Sequence, residues 1–103
     1  MKQQSTGIYN GWTITLRPNV HMWYHHLTAE KSGGTYTISC EDSVYGDGSI
    51  IVSTCDIDVN DATRESLNKA LLSWLHSQSY RYWLHTSVDH CDTNIPENPC
   101  RNA

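Results

Sequence analysis

Phenylalanine is missing from this chain, so all of its aromatic side chains, four Trp and six Tyr, carry a polar tip. Such residues suit positions with one end buried and one end wet, and they are enriched at binding hot spots. Nor is there any run close to the roughly 20 apolar residues of a membrane span. The opening segment Met1-Lys2-Gln3-Gln4-Ser5-Thr6-Gly7 holds no apolar stretch of a secretion signal. A cytoplasmic protein without membrane contact is the expectation. Basic residues are few: seven Lys and Arg against eleven Asp and Glu give a net charge of −4, and the seven are scattered singly. Phosphate contacts need clustered Lys and Arg, which argues against a general nucleic-acid binder.

Short paired ligand spacings are also absent. Cys40, Cys55, Cys91, Cys100 and six histidines could supply a tetrahedral zinc site, but no C-x-x-C occurs, and His85, His90, Cys91 and Cys100 follow no zinc-module spacing. No metal or other cofactor is expected, with a small zinc protein as a lesser alternative. Asp56, Asp58 and Asn60 resemble the start of a calcium loop, but Asp61 stands where glycine is needed and Leu67 where a glutamate is needed. A helix N-terminus with favourable acidic charge explains them better. Around His21, His25 and His26 no base, nucleophile and oxyanion donor can be assembled, so no catalytic residue is assigned and an enzyme is the less favoured class.

A chain of 103 residues suffices for one domain with a single core and leaves little room for a deep active-site pocket. Trp12-Thr13-Ile14-Thr15-Leu16 alternates as a half-buried strand does, and Arg17-Pro18-Asn19 reads as its turn. A loop over 18–20 would pair Leu16 with Met22, Ile14 with Tyr24 and Trp12 with His26, turning Met22, Tyr24 and His26 inward; a two-residue loop would turn Trp23 inward instead. In the next strand Tyr36, Ile38, Cys40 and Val44 face in, while Thr35, Thr37 and Ser39 face out. A type I′ turn at Asp47-Gly48 would set Val44 against Ile51, Cys40 against Cys55 and Ile38 against Ile57. That register brings two cysteines together for a disulfide, a metal or plain packing.

Asn60 or Asp61 can cap a helix over roughly 61–77, whose pattern Leu67, Ala70, Leu71, Trp74, Leu75 marks the face that covers the sheet. Tyr80-Arg81-Tyr82-Trp83-Leu84-His85 is ambiguous between strand, helix and extended arm. The fold class expected is α+β: an antiparallel sheet of three to four strands in β-β-β-β-α order on one amphipathic helix, with an irregular C-terminal arm. Residues 1–88 form the domain and 89–103 the tail. Over residues 11–77 that element order, ending in Ala70-Leu71-Leu72-Ser73-Trp74-Leu75, resembles in outline the small arm-type DNA-binding domains of integrases. Those domains put basic residues on the exposed sheet face, where this sequence has Thr13, Thr15, Thr37, Ser39 and histidines.

Glu41, Asp42, Asp47, Asp56, Asp58, Asp61 and Glu65 lie within 25 residues that contain only Arg64 as a counter-charge. Trp23, Tyr80, Tyr82 and Trp83 are hard to place in one small core. The functional expectation is a non-enzymatic inhibitor or adaptor that binds another protein through an aromatic surface (Trp23, Tyr80, Tyr82, Trp83) and an acidic patch (Asp42, Asp47, Asp56, Asp58). Nucleic-acid binding through the sheet face is the alternative, and pairing of an exposed first or fourth strand would permit a homodimer.

Overall fold

The computed structural model describes residues 3–43, 48–87 and 89–95. Their order is β1 (Ser5–Tyr9), β2 (Trp12–His21), β3 (Tyr24–Lys31), β4 (Gly34–Asp42), β5 (Ile50–Ser53), α1 (Asp61–Ser77), β6 (Tyr82–Ser87) and β7 (His90–Thr93). All seven strands share one sheet in chain order. Neighbours are antiparallel except β5 and β6, which run parallel. Parallel neighbours need a crossover between them, and α1 supplies it.

The expected sheet of three to four strands with a helix at its end is therefore corrected to a mixed seven-stranded sheet, with 52% of the described residues in strands and the helix inserted before the last two strands. Tyr82, Trp83 and Leu84 are all buried, so β6 shows no alternation for its first half, as befits a strand covered on both faces. Part of the expected irregular arm is β7. Its end is tied to β6 by side chains: Thr93 Oγ1 donates to the Tyr82 carbonyl at 2.6 Å, while Asn94 accepts from the Tyr82 amide at 2.8 Å and donates to the Tyr80 carbonyl at 2.7 Å.

One face of the sheet is the core. Trp12, Ile14, Leu16, Leu27, Ala29, Ile38, Cys40, Ile50 and Val52 pack against Leu67, Ala70, Leu71, Trp74 and Leu75 of α1, as the two periodicities require. The helix begins where its pattern does. Asn60 Oδ1 accepts the Thr63 amide at 2.7 Å, and Arg64 donates to the carbonyls of Thr54 and Ile57, fastening the first turn to the segment that leads into it. Asn60 thus serves as an N-cap oxygen. The opposite face of β2, β3 and β4 carries Thr13, Thr15, Thr28, Thr35 and Thr37 and is covered by no helix among the described residues.

The β4–β5 pair adopts a different register from the one expected. Cys40 lies opposite Val52, Ser39 opposite Ser53 and Asp42 opposite Ile50, so Cys55 falls beyond the end of β5 and the two sulfurs are not paired across strands. The turn is longer than two residues: the Ser43 amide donates to the Ser49 carbonyl at 3.0 Å. Val44 and Asp47 lie outside the described residues, as do Cys100 and the rest of 96–103.

Candidate functional site

The β2–β3 hairpin turns at Met22-Trp23, not at Pro18-Asn19. His21 pairs with Tyr24, and Met22 takes the left-handed φ of 50° that a tight two-residue turn requires. Arg17-Pro18-Asn19 carries the turn chemistry but forms an irregularity within β2. Between the pairs Arg17 with His26 and His21 with Tyr24, β2 has three residues where β3 has one. Proline cannot donate to a ladder and Asn19 sits at φ 56°, so this stretch bulges without ending the strand. As a result His25, Leu27 and Ala29 face the core, whereas Met22 and Tyr24 are exposed and His26 is half-buried, the reverse of the expected facing.

His25 is buried and both of its ring nitrogens are engaged. Nδ1 accepts the Asn19 amide at 2.9 Å, and Nε2 meets Asp42 Oδ1 at 2.6 Å. Since Nδ1 accepts, the neutral ring carries its proton on Nε2 and donates it to the carboxylate. The Asp42 amide in turn donates to the Trp23 carbonyl at 2.8 Å. Bulge, histidine, carboxylate and turn are thereby linked, and the hairpin end is fixed against β4.

What this frame holds out is apolar. Val20 is 55% exposed, Met22 69%, Trp23 50% and Tyr24 48%, and the two rings lie 6.2 Å apart. Glu41 stands opposite Tyr24, and Asp42 is partly exposed beside it. The site therefore combines an aromatic and thioether surface with two carboxylates on a pinned backbone.

The residues expected to form a single surface are distributed differently. Trp23 is at the tip and Asp42 beneath it. Tyr82 and Trp83 are buried in the sheet, and Tyr80 packs edge-on against Trp74 with ring centroids 5.7 Å apart. Burial pushes the ionisation of Tyr80 and Tyr82 upward, helped by the sulfur of Cys40 and the carboxylate of Asp92 respectively. Asp56 and Asp58 are exposed, but β5 carries the chain away from the tip before reaching them, so the acidic residues form two groups. Asp47 lies outside the described residues. The exposure of Val20, Met22 and Tyr24 is not legible in the sequence because it follows from the bulge, which the Pro-Asn pair disguises as a turn.

Two other places gather polar side chains. A shallow cleft of about 360 Å³ between Trp12, Lys31, Tyr36 and Ser66 has the Trp12 indole donating to Ser66 Oγ at 3.0 Å and the Lys31 ammonium 5.5 Å from the Trp12 ring. His85 and Cys91 are cross-strand neighbours, yet no group of three or more His, Cys, Asp or Glu side chains converges among the described residues. No helix among them is long and apolar enough to cross a membrane. No protein-family model, curated protein or solved structure matches this chain.

Proposed function

We propose that the protein binds another protein through the β2–β3 hairpin tip, as a non-enzymatic inhibitor or adaptor. The observation that carries this reading is the exposure of Val20, Met22, Trp23 and Tyr24 together on a backbone held by the His25–Asp42 link. Exposed large apolar groups gathered at one point mark interaction sites, whereas single ones do not. A pinned hairpin loses little conformational freedom on binding, and Trp and Tyr are the residues that most often dominate interfaces. Glu41 and Asp42 add sign. The partner this surface fits has an apolar pocket for Trp23 and Met22 with Lys or Arg on one rim. A cytoplasmic location accords with Cys40, Cys55 and Cys91, which are not joined to one another.

Affinity capture from the native lysate tests this reading with three baits: the natural chain, Trp23→Ala combined with Met22→Ser, and Thr35→Ala on the uncovered sheet face. A protein retained by the first and third baits and lost by the second is expected. Identical capture by all three would refute the assignment of the tip.

A further inference from the structure

We infer that the β1 edge is a homodimerisation surface on which a second copy of this chain adds its own β1 antiparallel, around a two-fold axis at Gly7. Among the described residues β1 bonds only to β2, so its outer side presents unpaired amides and carbonyls. Edges of this kind are usually guarded by charge, proline or a bulge. Ser5-Thr6-Gly7-Ile8-Tyr9 has none of these, and its register with β2 runs without a break. The other edge is different: β7 is four residues long, carries His90 and Asp92, and sits beside a register shift.

The edge is also rigid enough to act as a template. Thr6 Oγ1 donates to Thr15 Oγ1 at 3.4 Å, Tyr9 Oη accepts from Ser77 Oγ at 3.1 Å, and Asn10 donates to the Ser66 carbonyl at 3.1 Å. Ile8, 75% exposed, is the most exposed large apolar residue described and lies on the uncovered face.

Self-pairing centred on Gly7 overlaps all five residues of β1. It sets Ile8 against Thr6 of the second copy on the uncovered face, and Ser5 against Tyr9 on the helix side. A Cβ at Gly7 would come within 2.9 Å of the Tyr9 ring, so that ring already lies over the glycine where the axis passes. Ser5 Oγ, shielded from solvent, has no hydrogen-bond partner among the described residues, and it falls where the second copy's Tyr9 would lie. The seam holds no charge, so the net charge of −4 on each copy is kept away from the contact. A second copy thus satisfies what the edge leaves open, whereas the tip of the β2–β3 hairpin takes no part.

Five paired residues make a small interface, which places the dimer among weak, concentration-dependent ones. Sedimentation equilibrium of the full chain from low micromolar to near-millimolar concentration should show a mass rising from 11.7 kDa toward twice that value. Ile8→Lys and Thr6→Lys, both at exposed positions, should hold the chain at the monomer mass with an unchanged circular dichroism spectrum. In the natural chain, amide exchange within β1 should slow as concentration rises. A monomer at every concentration would overturn the inference. So would an association that survives both lysine variants, and one abolished by Trp23→Ala would move the contact to the tip.

Discussion

His25 connects more of the candidate site than any other residue, because its two nitrogens bridge a bulged amide of β2 and a carboxylate of β4. Removing a buried partner leaves the remaining groups unsatisfied. His25→Ala is therefore expected to cost about 1–3 kcal/mol in urea denaturation and to speed amide exchange at Asn19 and Asp42. Trp23→Ala, two residues away but outside the core, should stay within about 0.5 kcal/mol of the natural chain. The histidine's position in a strand was evident from sequence, but its facing was not, since facing depends on the bulge upstream. Tyr82 gives a second residue-level test. Burial, aided by Asp92, makes it harder to ionise in the folded chain than the ordinary tyrosine value of 10.0. Its contribution is accordingly present below that value and is lost as pH rises through the higher folded one. The urea midpoint should fall in strongly alkaline solution, and Tyr82→Phe should make that fall shallower.

Elements whose patterns are local were legible. The helix spans Asp61–Ser77, with the expected five residues buried and Asn60 as its cap. Asn60→Ala should lower stability by about 1 kcal/mol, read from thermal or urea unfolding, because the Thr63 amide loses its acceptor. Strand β2 was legible in its alternating half, Trp12 to Leu16, and the facing of β4 followed from Tyr36, Ile38 and Cys40. Pairing was less legible. Asp47-Gly48 carries the composition of a two-residue turn, yet the observed pairing of Cys40 with Val52 requires a longer connection. The hydrophobic pattern favours the expected register, whereas the observed one sets Glu41 against Ile51 and Asp42 against Ile50 and turns Ile50 and Val52 inward. Strand β1 offered only Thr6, Ile8 and Tyr9 as strand formers around a glycine, and Tyr82-Trp83-Leu84 lacked alternation because β6 is enclosed.

At the scale of the whole molecule the β5–α1–β6 crossover decides the fold, because it places the helix over the sheet and makes strands of residues 82–87, whose type the pattern left open, and of 90–93 in the expected tail. Trp74 is fully buried where α1 meets that core. Trp74→Ala should cost about 3–5 kcal/mol and lower the urea midpoint of a single cooperative transition. By contrast, the hairpin tip projects its apolar residues from the far end of β2 and β3 and contributes nothing to the buried cluster, which is why it is available for a partner. The most direct test of that role is photo-crosslinking in the native lysate with a benzophenone amino acid at position 22, and at position 35 as a control on the uncovered face. A discrete adduct from position 22, competed by excess natural chain but not by Trp23→Ala and absent from position 35, is the expected result. Equal adducts from both positions, or adducts that Trp23→Ala competes as well as the natural chain does, would contradict it.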